Sequence, residues 1–447
     1  MTDLFDIADA VVGLARDDEE VEAYVERSRD TQVRVHDGGV EQLSVAESLG
    51  VGVRVVHDHR QGFAYCGTFD RAALADAVAE ARDNATFAEP DETAGLARPD
   101  GVAPPVLDLW RGDLESVPID DKVALLLDIE RRVRAADARI VGFESCDYED
   151  SLSEVAVATT TGIRQATRST GCEAVAYPLA ADGDEVQLGF GFSVGRTFAD
   201  LDIDAAVRDA VDRAVRLLGA TKPPSGRLTV VLDPWVTAQL VGIVAGTLSG
   251  EEVIKGRSLF AGRVGEGVAT PQLTLVEDPT DPRAWGADTV DDEGLASRPV
   301  PLIDAGVLRG YVHSTSTARR MGVASTGSAV RSGFKSTPTS GCRAASLAPG
   351  TRGPAELLAG VADGVLVQDV SGLHSGVNPV SGDLSTGAQG LRIRNGELAE
   401  PLREFTIAST LQRLLHDVTA VGNDVTWLPM SAAGVTLVVA DVSISGA

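Results

Sequence analysis

Lysine is nearly missing from this chain. Only Lys122, Lys222, Lys255 and Lys335 are present, so almost all the positive charge is arginine. The 39 basic residues face 66 acidic ones, for a formal net charge of −27. That deficit argues against nucleic acid as a direct partner, because phosphate binding needs a basic stripe. The densest basic cluster, Arg131-Arg132-Val133-Arg134, falls in an amphipathic helical pattern and reads as a solvated helix face. An acid-rich, lysine-poor surface suits a cytoplasm with molar salt, where the Debye length is about 3 Å and self-repulsion is screened. A halophilic protein is expected.

Cysteine is as sparse. Cys66, Cys146, Cys172 and Cys342 lie far apart with no C-x-x-C spacing, so neither structural zinc nor a disulfide framework is supported. No apolar run approaches the length of a membrane span, as the Gly-broken stretch Leu240 to Leu248 illustrates. The opening Met-Thr-Asp-Leu-Phe-Asp offers no positive leader or apolar core, which points to the cytoplasm. Histidine is absent from the whole interval Leu232–Val312. His57-Asp58-His59 is the one local pattern suited to a metal, since i and i+2 share a strand face. Its place before Arg60-Gln61-Gly62 favours an exposed turn instead. His36, His313, His374 and His416 are isolated, and only His374, just before Gly376-Val377-Asn378, is a candidate for lining a cleft.

What the sequence does contain is an alternation of helical and strand patterns. Residues 3–15 have helical spacing, followed by four alternating segments, Glu22–Arg29, Thr31–His36, Val40–Ala46 and Leu49–Val56, then Gln61–Cys66. Asp37-Gly38-Gly39 signals a hairpin between the second and third. A helix at 70–84 completes a first α+β domain, 1–87. Residues 88–106, rich in proline, glycine and acids, form a linker. A central α+β domain, 107–221, has a helix Ile119–Ala136 and the strands Ile140–Asp147, Glu154–Thr160, Ile163–Ser169, Glu173–Ala180 and Val186–Ser193. A helix Ile203–Leu218 closes it. After Lys222-Pro223-Pro224-Ser225-Gly226 the chain becomes glycine-rich and strand-like, with helices at 235–247, 354–362 and 409–415. The fold class is α+β: N-terminal mixed helix and antiparallel-sheet domains, then a mostly β C-terminal domain, 222–447, as barrel or sandwich.

That last domain carries a family likeness. Val230-Val231-Leu232-Asp233-Pro234 opens it, followed by Ser258 to Pro271, Leu273-Thr274-Leu275-Val276-Glu277-Asp278 and Asp291-Asp292-Glu293-Gly294. Leu302 to Leu308, Gly376 to Asp383, Ile393 to Leu398 and Val421-Gly422-Asn423-Asp424 complete the series. In this order the blocks resemble the C-terminal domain of the TldD/PmbA family, also called modulators of DNA gyrase, and most closely its TldE/PmbA side. Singly, several read as turns whose glycines supply positive φ.

Catalytic members are similar in carrying a His-Glu-x-x-x-His helix soon after the Val-Val-Leu opening, with a cysteine near the C-terminus. Imidazoles and thiolate bind zinc, and the glutamate acts as general base. Counted from Val230, those helix positions are Gly242, Ile243 and Thr247, and no cysteine follows Val421. Glu251-Glu252 gives no rescue, because adjacent carboxylates diverge on a helix. The resemblance therefore implies a chain with no catalytic or metal residues and no cofactor of its own. It would pair with a TldD-like homologue that holds zinc and cuts unfolded peptides. The surfaces expected to face peptide or partner are Asp291, Asp292, Glu293, His374, Asn378, Asp383, Asn423 and Asp424. A peptidase with an unconventional site and a homodimeric peptide-binding scaffold are the alternatives.

Overall fold

The computed structural model describes residues 3–446. Four long strands dominate its N-terminal half: β1 (Glu20–His36), β2 (Gly39–His57), β4 (Ile140–Thr159) and β5 (Arg164–Asp182). Three shorter ones, β3 (Arg60–Cys66), β6 (Glu185–Leu188) and β7 (Gly191–Gly195), complete a seven-stranded sheet. Its order is β3-β2-β1-β4-β5-β6, with β7 also on β5, and all its pairings are antiparallel. The β1–β4 pairing carries hydrogen bonds from the segment before the linker to the segment after it, so residues 1–87 and 107–221 share one sheet.

Each long strand corresponds to two of the shorter segments expected from sequence. The expected breaks line up as one row across the sheet, where Asp30 pairs with Ala46 and Ser151, and Ser151 pairs with Gly171. The alternation lapses there because that row lies between two hydrophobic cores. On one side, α1 (Leu4–Val12) and α2 (Arg71–Phe87) pack Ile7, Val11, Leu74 and Val78 against Val21, Val25, Val53 and Ala156. Both helices begin on an aspartate cap: Asp3 accepts from Phe5 N, and Asp70 from Ala72 N and Ala73 N. On the other side, α3 (Ile119–Ala136) and α4 (Ile203–Val215) pack Leu126, Ile129 and Ala210 over Val33, Val35, Cys146 and Ala174. The expected bounds of α3 coincide with the observed ones.

The C-terminal half is a barrel. The strand Gly226–Leu232 pairs in parallel with Asp363–Ser371 and antiparallel with Leu437–Ser445. Asp383–Arg394 and Glu397–Thr410 continue from Asp363–Ser371, and Thr406–Ala408 returns to Leu437–Ser445, closing a ring of five strands. Such closure removes exposed edges. Helix α5 (Pro234–Thr247) follows the first barrel strand and buries Val236, Leu240, Val241 and Val244 in the barrel-side core. The helices expected at 354–362 and 409–415 run Pro354–Ala359 and Leu411–His416.

The barrel half packs on the face of the long sheet opposite its helices. Phe334 lies where side chains of Gly50 and Gly52 would be, and Trp285 covers Gly171. Among the described residues, no helix is long and apolar enough to cross a membrane.

Candidate functional site

Asp233 caps α5 through Trp235 N, and Pro234 begins it. With its apolar residues committed to the core, the helix turns Gly242, Ile243 and Gly246 toward an open groove. One part of the groove, about 570 Å³, is bordered by Gln239, Gly242, Ile243, His374, Pro379 and Met430. A second part, about 260 Å³, is bordered by Gly242, Gly246, Glu251, Glu252, Ser340 and Cys342. The two share Gly242 and Ser431. A Cβ at Gly246 would meet nothing within 4 Å.

Zinc does not fit these residues. Gly242 has no side chain and Ile243 only hydrocarbon, while the Thr247 hydroxyl is buried and donates to Val244 O at 2.7 Å. Glu251 is paired with Lys255 at 2.7 Å, and Glu252 with Arg257 at 2.6 Å. The Cys342 thiol donates to Ala245 O at 3.8 Å, and burial together with the charge of Glu277 pushes it well above the usual thiol range. Among the described residues, no three His, Cys, Asp or Glu side chains converge on a point that could hold a metal ion. His57-Asp58-His59 forms a turn in which Asp58 and His59 have positive φ.

The other candidates from the sequence separate into three places. His374 reaches the groove from the short helix Leu373–Gly376. Asn378 and Asp383 shape the loop beside it: Asn378 Oδ1 accepts from Val380 N and Ser381 N, and Asp383 accepts from Ser381 Oγ. Asp424 accepts from Thr436 N at 3.1 Å and Thr436 Oγ1 at 2.6 Å, which fixes the Asn423–Asp424 turn to the barrel rather than to the groove.

Asp291, Asp292 and Glu293, expected to face peptide or partner, lie in the seam between the two halves. Asp291 accepts from Glu293 N, Leu295 N and Ala329 N. Burial and the adjacent Glu293 push its carboxyl up to about 7. Glu293 accepts from Thr315 N at 2.8 Å and meets Arg54 at 3.3 Å. Arg54 and Arg331 both pair with Glu22, and Asp292 pairs with Arg343 at 2.6 Å. Burial opposes ionisation of Glu22, but the guanidinium groups of Arg331 and Arg54 outweigh it and hold the carboxyl at about 2. The turn Asp291–Gly294 is thus closed off inside the chain. The seam's other partners, Glu22, Arg54, Arg331 and Arg343, went unread in the sequence. Their one signal was the polar alternation Glu22, Tyr24, Glu26 within an apolar strand.

Three family profiles match the chain in order: PmbA/TldA metallopeptidase domain 1 over residues 21–85, the central domain over 112–218, and the C-terminal domain over 225–446. It is 25% identical over 407 residues to "Metalloprotease PmbA" of Escherichia coli O157:H7, covering 90% of this chain and 87% of that one. To "Metalloprotease TldD homolog" of Haemophilus influenzae it is 27% identical over 410 residues, covering 90% and 84%. The crystal structure of TldE from Thermococcus kodakarensis has the same fold, with a TM-score of 0.90 at 24% identity, covering 99% of both chains.

Proposed function

From the premise that this chain belongs to the PmbA/TldD metallopeptidase family, we propose that it is the metal-free partner subunit of a TldD-type zinc peptidase. One observation carries the reading. Helix α5 keeps its place beside a large groove, yet its motif positions are Gly242, Ile243 and Thr247, none able to bind zinc or act as general base. The framework is kept and the chemistry is not. On this reading, the zinc and the general base belong to a TldD-like homologue. This chain completes the chamber and holds an unfolded peptide. Bare helix backbone at Gly242 and Gly246 lets an extended chain approach closely. An extended peptide held along its backbone is distinguished from a folded protein without any sequence readout.

The test uses the chain alone, a homologue retaining His-Glu-x-x-x-His, and the mixture, all in high salt. The chain alone should contain no stoichiometric zinc and leave unfolded casein intact. Mixing should give a complex by light scattering and raise the homologue's cleavage. A leucine at Gly246 should reduce that gain by filling the groove. Near-equimolar zinc with chelator-sensitive proteolysis by the lone chain would overturn the proposal. So would a homologue that forms no mixed species and cleaves equally well alone.

A further inference from the structure

The row of the sheet between its two helical cores forms a second cavity, of about 410 Å³, on the helix-bearing face. Among the described residues no α-helix covers this row, and its lining gathers three arginines in an otherwise acidic molecule. Leu49 and Leu152 give it an apolar base, with Arg27, Arg29 and Arg168 around them. The segment just after the linker adds Trp110, pinned there because Thr170 N donates to Leu109 O at 2.9 Å and Arg111 N donates to Thr170 Oγ1 at 3.1 Å. The Arg168 guanidinium lies 5.1 Å from the centroid of the Trp110 ring.

The charges here are unequally satisfied. Arg27 is paired with Glu154 at 2.7 Å. Arg29 reaches Glu115 only at 3.9 Å, and its Nε is buried without a hydrogen-bond partner. Arg168 makes no ion pair among the described residues and keeps only its aromatic contact. An unpartnered buried N–H is costly, and a guanidinium on an aromatic face keeps its donor edge free for a planar anion. The acids Glu47, Glu115 and Glu154, also on this cavity, penalise any ligand of higher negative charge. A single carboxylate with an apolar group beside it satisfies all these conditions. A phosphate dianion does not.

We propose that this cleft binds the free C-terminal carboxylate of a peptide, with the terminal side chain on Leu49 and Leu152 beside Trp110 and the carboxylate on Arg168 and Arg29. The site is separate from the α5 groove and does not depend on the subunit assignment.

The experiment titrates the full chain with N-acetyl-alanyl-leucine and with its C-terminal amide, following heat and tryptophan fluorescence. The free acid should bind with one-to-one stoichiometry and at least about tenfold more tightly than the amide. R168Q, a change at an exposed position, should erase that difference without shifting the melting temperature. W110L should weaken both ligands and so probes the same cleft from outside the sheet. Equal binding of acid and amide, no saturable binding of either, or an unchanged preference in R168Q overturns the proposal. Inorganic phosphate competing as well as the acid also overturns it, since that marks a general anion site.

Discussion

At the scale of single residues, buried carboxylates set how the fold responds to pH. Glu277 accepts from Arg343 N at 2.7 Å and Ala344 N at 3.1 Å, yet burial pushes its carboxyl up to about 7. An unfolded glutamate titrates near ~4.3. The folded chain therefore binds the Glu277 proton more tightly than the unfolded chain does. Its contribution to stability is complete below that unfolded value and is lost as pH rises through about 7. Glu22 acts in the opposite sense: held at about 2, it contributes above its unfolded value and fails only as pH falls toward 2. E277Q keeps an acceptor oxygen but cannot ionise. Its unfolding free energy, measured by denaturant titration, should fall less than wild type's between roughly pH 5 and roughly pH 8. Parallel curves for the two proteins would refute this assignment.

At the scale of elements, two glycines near the groove separate open space from close packing. At Gly246 a Cβ meets nothing, so G246A should stabilise by about 0.5–1 kcal/mol through helix propensity alone. At Gly434 a Cβ would sit 1.9 Å from Pro234 O, where α5 begins, so G434A should cost about 1–3 kcal/mol. Thermal melts of the pair test both signs, and a stabilised G434A would show that the start of α5 is misplaced. Helix α5 was legible in the sequence because apolar residues and a proline start mark it. That Gly242, Ile243 and Thr247 offer no zinc ligand is plain from their side chains alone. The continuity of the four long strands was not. Hydrophobic alternation reports burial, and it lapses around Asp30 and Ser151, where the strands run on between the two helical cores. The seam was hidden for another reason. Glu22 and Arg331 are 309 residues apart, and no local pattern connects them.

At the scale of the whole molecule, charge governs conditions more than shape. A net −27 opposes compaction in dilute buffer, and added salt relieves that repulsion. The melting temperature should be several degrees higher in about 3 M than in about 0.1 M potassium chloride. Sucrose serves as the uncharged control, because excluded solutes stabilise without screening. A flat or falling response to salt would count against the halophilic reading.

The seam also orders events during synthesis. The segment bearing Glu22 emerges early, while the guanidinium of Arg331 that meets it is 309 residues further along. At translation speeds of roughly 5–20 residues per second, the interval is on the order of tens of seconds. Throughout it the first strands can pair with one another and gather their helices. Their opposite face meanwhile holds Glu22 and Arg54 without the C-terminal partners that later enclose them. A ribosome-bound chain stopped before residue 331 should therefore show protected amides in the paired strands and helical cores, while the side chains of the face awaiting the barrel, such as Arg54, stay open to chemical labelling. Docking of the two halves is then the late, high-contact-order step that turns a half-built sheet into the finished molecule.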